Sequence, residues 1–199
     1  MTLTGERLTC LRGDRLVFRD LDFAAAPGRA LVLTGPNGAG KSTLLRLIAT
    51  LLEPRAGRLV WHGKPVADDP DRYRAAIGYL GHLDAVKPTL TVAENLAFWA
   101  HGDEAAIGRA LEAFALADKA ALPARFLSAG QKRRLALARL TVKGAPIWLL
   151  DEPTTALDRR STALFAAAVS RHLADGGLAL IATHVDLGLD AVDRLELAG

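Results

Sequence analysis

One stretch of eight residues limits this chain more than any other: Gly35-Pro36-Asn37-Gly38-Ala39-Gly40-Lys41-Ser42. Its spacing is G-x-x-x-x-G-K-[ST]. It stands between a compact apolar run, Ala30–Thr34, and a stretch of helical apolar spacing over residues 42–52 that ends before Pro54. A strand, a glycine-bearing loop and a helix in that order make a cradle for phosphate. The glycines let the backbone curl so that successive N–H groups face one anion, and the helix N-terminus adds positive potential. Lys41 is placed to reach terminal phosphates, Ser42 to ligate Mg²⁺, and Thr43 to add a phosphate contact at the helix start.

Composition narrows the class. A chain of 199 residues with 50% hydrophobic and 24% charged residues can bury a core as one domain, or one domain with a lobe. The single Cys10 removes any internal disulfide and any cysteine-based zinc or iron–sulfur site, so a cytoplasmic setting is expected. Twenty-five Lys and Arg against 22 acids give a net charge of +3. That is too mild and too dispersed for a nucleic-acid groove, and no nucleic-acid partner is expected. The longest apolar runs, residues 145–150 and 178–182, fall short of the roughly 20 residues that cross a bilayer. Glu6, Arg7, Arg12, Asp14 and Arg15 interrupt any signal-peptide core. Work at a membrane would need a separate anchor.

Residues 1–33 alternate apolar and polar positions with breaks at Gly13-Asp14 and Pro27-Gly28, which predicts short strands joined by turns. From about residue 83 to 144 the pattern is helical, clearest at 92–101, 104–116 and 131–142, and reads as an inserted helical lobe. Then residues 146–150 and 178–182 predict buried parallel strands, with a helix between them over 162–174. Strands alternating with helices imply an α/β sheet. With no linker and no repeat, residues 1–199 are expected to form a single domain.

Asp151-Glu152-Pro153 follows the strand at 146–150, so both carboxylates sit beyond its carboxyl end, the edge where open α/β sheets bind ligands. Asp151 suits holding Mg²⁺ through its water shell. Glu152 suits accepting a proton from, or orienting, a water that attacks the γ-phosphate. His184 follows the strand at 178–182 through Thr183, which makes it a candidate γ-phosphate contact; an ordinary surface or capping histidine is the alternative. His62, His101 and His172 are read as ordinary histidines.

Leu127-Ser128-Ala129-Gly130-Gln131, followed by the basic run Lys132-Arg133-Arg134 and Arg139, resembles the signature motif of ABC-type ATPases. Physically, the Ser128 hydroxyl and the Gly130 N–H at a helix start form a second anion site. Read without the resemblance, the same residues make a serine-capped helix with a solvated basic face. The resemblance covers essentially the whole chain. It implies a P-loop ABC-type ATPase domain of α/β class, with an antiparallel β subdomain and the inserted helical lobe carrying the signature. It implies MgATP hydrolysis in a head-to-tail homodimer, with the signature site closing on nucleotide held by the other subunit. Ser42 and Asp151 match the family's magnesium positions and Glu152 its catalytic glutamate. Asp158 resembles the loop linking the two sites across the dimer, and His184 resembles the switch histidine.

Two positions depart from the family. Arg12 stands where an aromatic residue usually stacks on adenine; a guanidinium can stack on a base, and a solvated turn residue is the other reading. His82 follows Tyr79-Leu80-Gly81 where a glutamine that senses Mg²⁺ and the membrane partner is usual. Gly81-His82, Lys87, Leu90-Thr91-Val92 and Glu94-Asn95-Leu96-Ala97-Phe98 resemble the haem exporter ATPases of cytochrome c maturation, which are compact; this chain ends about fifteen residues after His184. That implies a peripheral subunit on the cytoplasmic face of a bacterial inner membrane, bound to an integral membrane permease near residues 81–100. Phe98 and Trp99 either line that groove or belong to the core, and the core is the expectation for both. With no C-x-x-C-H and no axial-ligand pair, direct haem binding by this chain is not expected. The alternatives are a motor for a lipid, drug or small-molecule exporter, a soluble ABC ATPase acting on nucleic acid, and a small-molecule phosphotransferase.

Overall fold

A computed structural model describes residues 2–198. The chain opens as a hairpin, β1 (Leu3–Arg12) and β2 (Arg15–Ala25), turning at Gly13-Asp14. The apolar run follows as β3 (Ala30–Thr34), with the bounds its composition predicts, and then α1 (Lys41–Ile48). After β4 (Ala56–Trp61), β5 (Lys64–Pro65), α2 (Pro70–Ala75) and β6 (Ile77–Leu80) come the lobe helices α3 (Val92–Ala100), α4 (Glu104–Ala113) and α5 (Ala129–Lys143). The chain closes with β7 (Ile147–Asp151), α6 (Arg159–Ala174), β8 (Leu178–Ala182) and β9 (Val192–Glu196).

Among the described residues nine strands form two sheets. One is antiparallel, in the order β2-β1-β4-β5. The other runs β6-β7-β8-β3-β9 with every neighbouring pair parallel. A parallel sheet needs both faces covered, and its residues divide accordingly. Leu31, Leu33, Ile147, Leu149, Leu178 and Leu180 pack with α1 and the antiparallel sheet. Trp148, Leu150, Ala179 and Ile181 pack with α5, α6 and the rest of the lobe. The period-2 alternation of β7 and β8 thus feeds two separate cores, which is why both strands read as unbroken apolar runs.

Helix α1 stops four residues short of the predicted end. Thr50 adopts a left-handed conformation, φ 57°, and the N–H groups of Thr50 and Leu51 return to the carbonyls of Leu47 and Arg46 at 2.9 Å each. This pair of bonds is the Schellman closure. It leaves Leu51 and Leu52 exposed. Helix α6 starts three residues earlier than predicted, because Asp158 accepts a bond from the Ser161 N–H at 2.7 Å and caps it.

Candidate active site

Because the five-stranded sheet is all parallel, whatever follows β3, β6, β7 and β8 emerges along one edge. Those segments carry Gly35–Ser42, Gly81-His82, Asp151-Glu152 and Thr183-His184. The register fixes their order: Ala182 of β8 pairs with Asp151 on one side and with Leu33 on the other.

The loop after β3 bends through three left-handed glycines, Gly35 (φ 128°), Gly38 (φ 87°) and Gly40 (φ 99°). Two of them are also sterically required. A Cβ on Gly35 would lie 2.4 Å from the Leu197 carbonyl oxygen, and one on Gly40 would lie 2.6 Å from Val17 Cγ1 of β2. The Val17 contact brings the β1–β2 hairpin against the loop, and nothing in the motif's spacing signals it. Lys41 is buried, and its Nζ donates to the carbonyls of Gly35 at 2.7 Å and Pro36 at 3.1 Å. An ammonium has three protons, so one remains for an anion in the cradle. Helix α1 has no side-chain cap and no acid in its first turn, which leaves its leading N–H groups available to an anion as well. Thr43 lies in that turn, half-buried.

Opposite the loop, Ser42 Oγ donates to Asp151 Oδ1 at 2.8 Å. A hydroxyl and a buried carboxylate side by side are hard oxygen donors of the kind that hold Mg²⁺ together with waters and substrate phosphates. Among the described residues no group of three or more His, Cys, Asp or Glu could enclose a metal, so these two oxygens fit such a shared site rather than an all-protein cage. His82 lies on the exposed loop after Gly81 and belongs to no such group.

Glu152 leaves the sheet abruptly. Its N–H still bonds to Ala182 O at 2.8 Å, but its φ is 45°, a left-handed conformation unusual for a non-glycine residue. The turn brings its carboxylate to His184, with Oε1 and Nε2 3.5 Å apart. A carboxylate and an imidazole from neighbouring strand ends can together orient and deprotonate a water.

The signature segment begins α5 with a capping box. Ser128 Oγ accepts from Gln131 N–H at 3.2 Å, and Gln131 Oε1 accepts from Ser128 N–H at 2.8 Å. A Cβ on Gly130 would sit 2.9 Å from the Ala156 carbonyl, so the start of α5 lies on the loop that leads to Asp158. The capping bonds to Ser161 hold the Asp158 carboxyl below its usual range. Arg12 pairs with Arg15 at the exposed hairpin tip.

The face of α5 after the signature is not solvated. Arg134 donates to the carbonyls of Phe114 and Ala115, Arg139 to that of Tyr79, and Arg133 is 3% exposed. The available signal was the helix itself: Leu135, Ala136, Leu137, Ala138 and Leu140 bury nearly every side of it, leaving little room for a wet face. Phe98 also departs from expectation. It is 72% exposed rather than in the core, set edge-on against half-buried Trp99.

Residues 18–155 match the family model described as ABC transporter. The chain belongs to that family, and it carries the family's ATP-binding domain. It is 54% identical over 97% of its length to the cytochrome c biogenesis ATP-binding export protein CcmA of Rhodospirillum rubrum, covering 84% of that protein. It is 56% identical over 96% of its length to the CcmA of Ruegeria pomeroyi, covering 89%. Its fold superposes on a solved ATP-binding subunit of an ABC transporter with a TM-score of 0.88 at 26% identity, covering 99% of this chain and 86% of that one. A bacterial Atm1-family ABC exporter solved with ATP bound aligns with all of this chain over 38% of its own, at a TM-score of 0.86 and 29% identity.

Proposed function

We propose that this chain is the ATP-hydrolysing subunit of a membrane ABC complex that serves haem delivery in c-type cytochrome biogenesis. The observation that carries the chemistry is the pairing of Ser42 with Asp151 and of Glu152 with His184 along the edge that also bears Lys41. The likeness to CcmA proteins over nearly the whole chain supports the pathway.

ATP lies along Gly35–Thr43, with its terminal phosphates against Lys41 and its base toward Arg12 at the tip of the hairpin that abuts Gly40. Ser42 and Asp151 would hold Mg²⁺, which when bound would neutralise charge on the phosphates. Glu152 orients the attacking water and takes its proton while the bond from the γ-phosphorus to ADP breaks, and His184 contacts the γ-phosphate. Two copies close head to tail, so that Ser128 and Gly130 of each face nucleotide held by the other, and the loop at Asp158 joins the two sites. Closing and reopening perform the mechanical work on the membrane partner. Residues 1–199 act in this as one ATP-binding unit.

That partner docks between the core and the lobe. A cavity of about 410 Å³ lined by Tyr79, Ala85, Trp99, Arg139 and Lys143 supports the location, next to the loop bearing His82. No helix among the described residues is long and apolar enough to cross a membrane, in keeping with a peripheral subunit carried by that partner on the cytoplasmic face of the inner membrane.

Deleting the gene and scoring membrane c-type cytochromes, with complementation by wild-type and Glu152→Gln chains, tests pathway and chemistry together. The proposal predicts that the cytochromes vanish and that only the wild-type chain restores them. Normal cytochrome levels in the deletion strain would leave an ABC ATPase with another cargo.

A further inference from the structure

We propose that Arg133 is a positioning residue for hydrolysis, its one guanidinium setting the peptides around Glu152 and tying them to the loop after β6. The inference rests on the assignment of Glu152 above.

All three guanidinium nitrogens are engaged. Nη2 donates to the carbonyls of Asp151 at 3.1 Å and Glu152 at 2.7 Å, and Nε to that of Pro153 at 3.0 Å. Nη1 donates to the Gly81 carbonyl at 3.1 Å and to Asp84 Oδ1 at 2.9 Å. Three consecutive carbonyls, at 151, 152 and 153, therefore face one planar fork from α5.

Charge neutralisation does not explain the arrangement. Burying a cation is costly, and four of its five acceptors are neutral backbone oxygens; the one carboxylate, Asp84, is itself partly exposed. Geometry explains it better. The chain leaves β7 at Glu152 in a left-handed conformation, and such a conformation persists only where its surroundings over-determine it. The Glu152 N–H is held by Ala182 on one side, and the carbonyls at 151–153 by Arg133 on the other. These bonds fix the peptide planes on both sides of the Glu152 Cα, and so the place of its carboxylate beside His184. A lysine offers three donors from one point and cannot span that set.

The position also links three segments of the fold. Arg133 lies three residues beyond Gly130, on the helix that carries the second anion site. Gly81 immediately precedes His82, on the loop beside the proposed membrane-partner groove. A shift of α5 or of that loop reaches the Glu152 peptide through one side chain.

The test uses the full chain as wild type, Arg133→Lys, Arg133→Gln, Asp84→Ala and Glu152→Gln, measuring kcat and KM for ATP hydrolysis, ATP affinity and Tm. Arg133→Lys is expected to bind ATP within about threefold of wild type and to lose about tenfold or more in kcat at unchanged KM. Arg133→Gln is expected to lose at least as much. Asp84→Ala, which removes one acceptor of five and leaves the three carbonyls held, is expected to lose about two- to fivefold in kcat. Wild-type kcat in Arg133→Lys overturns the inference, because charge alone would then suffice. So does a parallel loss of affinity, kcat and Tm in both Arg133 variants, which marks a purely structural role. If neither Arg133 variant folds, Asp84→Ala decides: a lower kcat at constant KM supports the inference, and unchanged kinetics overturn it. An inactive Glu152→Gln beside a fully active Arg133→Lys overturns the inference alone, whereas a fully active Glu152→Gln overturns the reading of Glu152 and this inference with it.

Discussion

The N-termini of α1 and α5 are both proposed to meet phosphate, and they are built in opposite ways. Helix α1 starts at a left-handed glycine, has no side-chain cap and carries no acid in its first turn. Helix α5 starts with the reciprocal Ser128–Gln131 box, the same device that Thr91 and Glu94 supply to α3. The capped form is the ordinary solution, and α1 is the exception. Starting a helix at a glycine without such a cap costs roughly a few tenths of a kcal/mol, a cost that a bound anion offsets. The contrast teaches a division of labour: the α1 end is shaped for an anion within one chain, while the α5 end is stable by itself. The Ser128 hydroxyl accepts a bond in its cap and keeps its own proton free for the ligand that the proposed second copy would bring.

The largest effect should come from the α1 side. Lys41→Ala removes the ammonium that donates to the carbonyls of Gly35 and Pro36 and that is proposed to reach the phosphates. ATP affinity should fall by about tenfold or more and hydrolysis to about 1% of wild type, read by equilibrium binding and phosphate release. If binding survives, α1 is not the primary anion site.

Ser128 separates stability from chemistry. Ser128→Ala removes cap and ligand donor together and should cost about 1 kcal/mol in denaturant unfolding along with most of the hydrolysis. Ser128→Asp keeps the cap but sets a negative charge toward the second copy's phosphates. It should therefore keep Tm and single-chain ATP binding while losing hydrolysis. Retained activity in Ser128→Asp would show that α5 serves only as a helix start.

Gly40→Ala places a Cβ at φ 99° and 2.6 Å from Val17. The expected loss is about 1–3 kcal/mol of unfolding free energy, with nucleotide affinity reduced as the loop shifts. A neutral result would remove the argument that this glycine is required.

The smallest effect is acid-dependent. Hydrogen bonds hold Asp158 below its usual range through Ser161, Glu94 through Thr91, and Asp193 through Arg29. A carboxylate with a lowered folded value contributes stability that is present above its ordinary value and lost as pH falls through the lowered one. Stability should therefore decline below the ordinary carboxylate range. Asp158→Asn, which can still cap α6, should flatten that decline slightly in urea titrations at falling pH, and an unchanged slope would deny the linkage.

How much could be read beforehand follows from the range of the interactions. The loop at 35–42 and the runs at 30–34 and 178–182 declare themselves because their signals are local in the chain, and the observed strands have those bounds. Strand β9, Val192–Glu196, carries no apolar run, because it lies at the sheet edge, half covered. Strand β6 is four residues long with a glycine inside it. Helix α1 fails to reach Leu52 because Thr50 closes it, and no residue type there announces a left-handed turn. Arg133 was hidden for another reason. Its partners lie 18 to 52 residues away, so only the packing of α5 against two strand ends shows that a residue within a basic run is buried. Phe98, an aromatic residue on an apolar stretch of helix, reads as core until the fold leaves it facing out.

The most direct test of the central claim, that Glu152 acts on ATP held between two copies, is the oligomeric state of the full-length Glu152→Gln chain with and without MgATP, measured by sedimentation beside its rate of hydrolysis. The account predicts a shift to a stable dimer in MgATP, with ATP retained and turnover lost. A chain that stays monomeric in MgATP and hydrolyses at the wild-type rate would contradict it.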